Sequence, residues 1–83
     1  MSEVWGVEEQ RALRVLQAAV IEAYGRPGVY VQREPVMRRA NISDVWEFVA
    51  VAEYLDQRGW IGEADADYTV FGVTPEGIET ATD

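Results

Sequence analysis

The stretch "SDVWEFVAVAEYLDQRGW", Ser43 to Trp60, decides how this chain folds. Placing successive residues about 100° apart sets Val45, Phe48, Ala52 and Leu55 on one side, the apolar stripe of a helix that packs on a core. Asn41 or Ser43 is placed to cap its start, and Gly59 to end it. A helix is therefore expected from about Asp44 to Arg58, with Trp60 and Ile61 opening a strand. The opposite side carries Trp46, Glu47, Ala50, Glu53, Tyr54 and Gln57, none of them basic.

Upstream, "GVYVQREPVMRRANI" holds a short extended run, Val29 to Val31. A brief second helix follows, roughly Arg33 to Ala40. Pro35 sits in its first turn, where a missing N–H costs nothing, and Val36, Met37 and Ala40 form its apolar face. Before that, "VEEQRALRVLQAAVIEAYG" opens on acids that suit the positive end of a helix dipole. Leu13, Leu16, Val20 and Tyr24 recur at helical spacing, and Ala12, Val15, Ala19 and Ala23 widen the stripe. Gly25 and Pro27-Gly28 stop this first helix. Trp5 precedes it and is expected to cover the core or a dimer contact.

Downstream, "WIGEADADYTVFGVTPEGIE" reads as a β-hairpin with arms Trp60–Glu63 and Tyr68–Val73. Alternation puts Tyr68, Val70 and Gly72 on one face and Thr69, Phe71 and Val73 on the other. Thr74-Pro75 is a helix start, a cap followed by proline at the first helical position. A short last helix to about Thr80 is expected, with a fraying tail from Ala81 to Asp83.

This order and two local patterns, "AEYLDQRGWI" and "YTVFGVTPEGIE", resemble the winged-helix family, a helix-turn-helix variant. Tyr30-Val31 before the second helix also fits. The resemblance implies an α+β fold with a three-helix core, a two-stranded β-hairpin wing and a short C-terminal helix, one domain over residues 1–83. It also implies a third helix that enters the DNA major groove, with the wing on the backbone or in the minor groove. At those positions this sequence departs from the family. Of the outward residues only Gln57 is an ordinary base reader, and Glu63, Asp65 and Asp67 stand where the family places Lys or Arg.

The charge balance points the same way. The chain of 83 residues has a net charge of −8. Residues 1–40 hold six arginines against five acids, +1, whereas residues 41–83 hold one arginine, Arg58, against ten acids, −9. Nucleic-acid binders neutralise phosphate with a basic surface. Cysteine, histidine and lysine are absent, which removes disulfides, thiolate metal sites, the commonest general base and Schiff-base chemistry. "GEADADY" has alternating acids but lacks the turn glycine and closing glutamate of a calcium loop. No catalytic constellation, cofactor, small-molecule substrate or membrane span is expected. The N-terminal stretch does not read as a signal peptide, so the expected location is the cytoplasm.

The reading is a small acidic protein-interaction or regulatory domain that self-associates as a homodimer, is no enzyme and is no typical DNA binder. Trp5, Trp46, Ala50, Glu53 and Tyr54 are its expected contact residues, because exposed aromatic patches mark protein interfaces. A first alternative is a DNA-binding transcriptional regulator with Arg33, Arg38 and Arg39 on phosphate and Gln57 on a base. A second is an acidic nucleic-acid mimic whose stripe from Asp44 through Asp67 occupies a partner's basic groove.

Overall fold

The computed structural model describes residues 7–82, the side chains of Val7 and Glu8 excepted. Its elements run α1 (Val7–Glu22), β1 (Tyr30–Gln32), α2 (Arg33–Ala40), α3 (Val45–Gln57), β2 (Ile61–Gly62), β3 (Val70–Val73) and α4 (Pro75–Thr82). The protein is α+β, and its described residues form four helices and an antiparallel three-stranded sheet of order β1-β3-β2. Tyr30, Val31 and Gln32 pair with Gly72, Phe71 and Val70, and Ile61 and Gly62 pair with Val73 and Gly72. This arrangement is compatible with a winged helix.

The helix stripes meet in one core. Ala12, Val15, Leu16, Ala19 and Ala23 come from the first helical segment, Val36, Met37 and Ala40 from α2, and Phe48, Ala52 and Leu55 from α3. The inner face of the sheet adds Val31, Ile61, Phe71 and Val73. Alanine at three positions of the α1 stripe and at Ala40 and Ala52 lets α1 pack against α2, α3 and α4. At the centre the Phe48 and Phe71 rings lie 6.1 Å apart at 42°.

α1, α2 and α3 close in the same way. A residue with positive φ (Tyr24, Asn41, Gly59) precedes an N–H that reaches the carbonyl five residues back. These bonds are Gly25 to Val20, Ile42 to Met37 and Trp60 to Leu55, the Schellman pattern that satisfies carbonyls left over at a helix end. Two expectations are corrected by it. Tyr24 is not part of the α1 stripe: the helix ends at Glu22, the chain turns left-handed and the Tyr24 side chain is exposed. Asn41 closes α2 rather than opening α3, and Ser43 does not cap either. The cap is Asp44, whose Oδ1 accepts the Trp46 N–H at 3.0 Å.

The hairpin is shorter than its alternation suggests. Glu63 and Tyr68 both take positive φ, which ends the ladder on each arm. The loop between them is organised by Asp65. Its carboxylate accepts the Thr69 N–H at 2.7 Å, its N–H donates to Val70 O, and its carbonyl accepts the Tyr68 N–H. Short polar side chains compete with strand pairing in this way. Tyr68 therefore does not share the exposed face of Val70; it turns inward and is buried.

The Tyr68 hydroxyl donates to Asp56 Oδ2 at 2.9 Å, tying the loop to α3. Burial first, then the Asp56 hydrogen bond and charge, then Glu53, push its pKa up to about 12. An unfolded tyrosine titrates near 10. The folded value is the higher one, so this contribution is complete below about pH 10 and is lost as pH rises towards 12. Tyr68→Phe is expected to cost about 1 kcal/mol at neutral pH. In urea titrations the gap between wild type and variant should shrink at pH 11. A gap that stays constant from pH 8 to pH 11 would show that the hydroxyl is not held this way.

The last helix is held at both ends. Thr74 Oγ1 donates to Gly59 O at 2.6 Å and accepts the Gly77 N–H at 3.0 Å, while the Thr74 N–H donates to Trp60 O at 3.1 Å. Contrary to the expected fraying, Ala81 and Thr82 are helical. Ala81 packs on the core and its carbonyl accepts from Gln17 Nε2 at 3.5 Å. Among the described residues no helix is long and apolar enough to cross a membrane.

Candidate protein-interaction surface

The side of α3 away from Phe48 and Leu55 is the most distinctive surface of the molecule. Trp46 stands on it with 70% of its surface exposed, and Ala50, Glu53 and Gln57 follow along the same face, all exposed. Trp46 is the second residue of the helix. Asp44 secures its N–H, so the backbone is fixed while the indole projects outward. No basic residue occupies this face before Arg58, just past the helix end.

Glu47 leans to one flank, where its Oε2 meets Arg11 Nη1 at 2.7 Å. Both side chains are more than a third exposed, so the pair adds little stability, yet it leaves this flank locally neutral. Beneath it a hollow of about 170 Å³ between α1 and α3 is lined by Arg11, Ala12, Glu47, Ala50, Val51 and Tyr54.

Tyr54 does not stand outward as expected. It is half-buried, with its ring edge-on to Trp60, centroids 6.5 Å apart at 76°. The Arg58 guanidinium lies 5.0 Å from the Tyr54 ring centre and 5.5 Å from that of Trp60. Trp46, Ala50 and Tyr54 thus form two separate features, an exposed indole at one end of α3 and a cation–aromatic cluster at the other. Arg58 was not among the expected contact residues. Its signal was present in the i, i+4 spacing from Tyr54 and in its being the lone cation after residue 40. Trp5 lies outside the described residues.

The arginines expected to meet phosphate have other partners in two of three cases. Arg33 Nη1 donates to the Asp67 carbonyl at 3.1 Å, and its Nε is buried with no protein partner among the described residues. Arg39 places Nε and Nη2 on Glu22 Oε2, each at 3.0 Å. Arg38 is exposed in the last turn of α2. Gln57 is exposed near the end of α3.

Glu63, Asp65 and Asp67 are exposed and lie in the loop between β2 and β3, not on a strand. Asp65 is engaged by the loop backbone. Glu63 Oε1 accepts the Tyr30 hydroxyl at 2.9 Å, and that bond and the Glu63 charge raise the Tyr30 pKa. Asp67 contributes its carbonyl to Arg33. Among the described residues no group of three or more His, Cys, Asp or Glu side chains is placed to hold a metal ion.

Comparison of the chain with protein-family models, with curated proteins and with solved structures finds no match.

Proposed function

We propose that this chain is a small acidic winged-helix domain that acts as a protein-interaction or regulatory module by pairing with a second copy of itself through the outer face of α3. The observation that carries the reading is Trp46, 70% exposed on a helix face without a cation. Leaving an indole in water forgoes the burial of a large apolar side chain. Tryptophan is also among the residues most often found as an interface anchor. The element order and the hairpin that follows α3 support the winged-helix part of the reading. DNA binding draws no comparable support, because Arg33 and Arg39 are engaged within the chain.

Light scattering after size exclusion, over a range of loading concentrations, tests it. The wild type is expected to move towards twice the monomer mass as concentration rises. Trp46→Ala is expected to stay monomeric with its urea midpoint nearly unchanged, since an exposed side chain contributes within about 0.5 kcal/mol to folding. A wild type that remains monomeric at its highest soluble concentration ends the self-association reading. Fluorescence anisotropy with mixed duplexes at low salt, where phosphate contacts are strongest, is expected to show no binding.

A further inference from the structure

Gly62 and Gly72 stand opposite each other on β2 and β3, and Tyr30 of β1 is the other neighbour of Gly72. All three belong to the outer face of the sheet, since Val31, Ile61, Phe71 and Val73 take the inner one. Glycine weakens a strand, and larger residues suit it better. Yet the fold calls for neither of these two. The left-handed glycines are Gly25, Gly28 and Gly59. A Cβ at Gly72 would meet only Gly62 O at 3.7 Å, and one at Gly62 only Thr74 Cγ2 at 3.9 Å, both ordinary contacts. What the pair does is keep a floor of bare main chain open. A cleft of about 180 Å³ lies over it, with Pro27 and Pro75 among its walls. Strand glycines of this kind mark a place where another group comes close.

We infer that the cleft takes the side chain of an arginine from a partner protein. Its lining is mainly apolar, and Glu63 is the one charged residue in it among the described residues. Arginine suits such a site, because it lays its methylene stem on apolar surface and carries its charge at the far end. The Glu63 carboxylate is held ready for that charge. Its Oε1 accepts the Tyr30 hydroxyl at 2.9 Å, a bond that reaches across β3 and leaves Oε2 for a guanidinium. A carboxylate fixed in advance loses less freedom on binding. Shape favours arginine over lysine, since a planar guanidinium can lie flat on a floor without side chains and a compact ammonium cannot. The chain's own Arg26 does not fill the place; it adjoins Pro27 in sequence, but it is exposed and does not line the cleft. Residues 41–83, with one arginine against ten acids, −9, favour a basic partner. None of Trp46, Ala50 or Glu53 lines the cleft, so this contact is independent of the self-association proposed above.

Amide NMR of isotope-labelled protein, titrated with Nα-acetylarginine methylamide, tests the assignment. Both ends of this probe are capped, as in a chain. The signals of Gly62, Gly72 and Thr74 are expected to move and saturate, with a Kd on the order of 1 mM for a single side chain. The citrulline analogue, similar in shape but uncharged, should leave them in place, and the lysine analogue should bind more weakly. Glu63→Gln still offers Tyr30 an acceptor and should weaken arginine binding about fivefold. Gly72→Ala should fold, given its open surroundings, and should abolish the saturating shifts because its methyl group stands on the floor. Thermal unfolding of each variant is the folding control. Citrulline or lysine binding as tight as arginine overturns the assignment. So does an unchanged Kd in Glu63→Gln or in folded Gly72→Ala, or shifts that scatter over other acids such as Asp44 and Glu79 without saturating. Free arginine binding more tightly than the capped form would overturn the protein partner.

Discussion

Gly77→Ala is expected to destabilise the fold by about 3 kcal/mol, although alanine is the better helix former by about 1 kcal/mol. Gly77 lies in the first turns of α4, where the helix crosses the backbone at Trp60. A Cβ at this position falls onto the Trp60 carbonyl oxygen, with Trp60 C at 2.9 Å and Val73 Cγ1 at 3.1 Å. The obstacle is main chain and cannot swing aside. Trp60 O accepts the Thr74 N–H, and the adjoining Gly59 carbonyl accepts the Thr74 hydroxyl, which in turn accepts the Gly77 N–H. Making room for one methyl group therefore means lifting α4 off the Trp60 backbone and breaking this clasp. Urea denaturation followed by circular dichroism measures the effect. Because helix propensity predicts the opposite sign, a variant as stable as the wild type would refute the close approach. The same clasp gives the Thr-Pro-x-Gly pattern a physical meaning. Threonine caps and ties, proline starts the helix, and glycine lets it descend onto the backbone at Trp60.

Residues whose roles follow from period and local chemistry were legible in the sequence. Phe48, Ala52 and Leu55 face the core because they share one side of a helix, and Trp46 faces water for the same reason. Gly59 and Thr74 announce a helix end and a helix start through properties of their own side chains. Other features depend on where distant backbone happens to lie. Nothing local distinguishes Tyr24, Glu63 or Tyr68 as left-handed residues, since such φ values are uncommon for them and are imposed by neighbouring bonds. The acids from Glu63 to Asp67 alternate like a strand, yet Asp65 bonds within its own loop, its carboxylate accepting the Thr69 N–H and its carbonyl the Tyr68 N–H. The candidate surface divides along the same line. Trp46, Ala50 and Glu53 were visible on a helical wheel. Arg58 acquires its position over Tyr54 and Trp60 only after the turn at Gly59 folds Trp60 back towards α3.

Phe71→Ala is expected to destabilise the fold by about 3–5 kcal/mol. Phe71 is fully buried on β3, the central strand, paired through Val31 to β1 while its neighbours Gly72 and Val73 pair with β2. Its ring meets that of Phe48 from α3 within the 4.5–7 Å range where aromatic pairs attract, at 6.1 Å. Truncating a buried phenylalanine costs about 3–5 kcal/mol through lost burial and the cavity left behind. A chain of 83 residues has a total stability on the order of 4–12 kcal/mol, so the loss consumes from about a quarter to all of it. Phe71→Leu keeps most of the volume and is expected to retain a cooperative transition at a lower urea midpoint. Circular dichroism and urea titration of the two variants check this. If Phe71→Ala keeps the wild-type midpoint, the Phe48–Phe71 contact is not the centre of the core. The comparison with Trp46→Ala then separates scaffold from surface. Losing Phe71 should weaken self-association in step with the fold, because α3 loses part of the base it stands on. Losing Trp46 should abolish self-association and leave the fold intact, since 70% of that residue's surface is exposed.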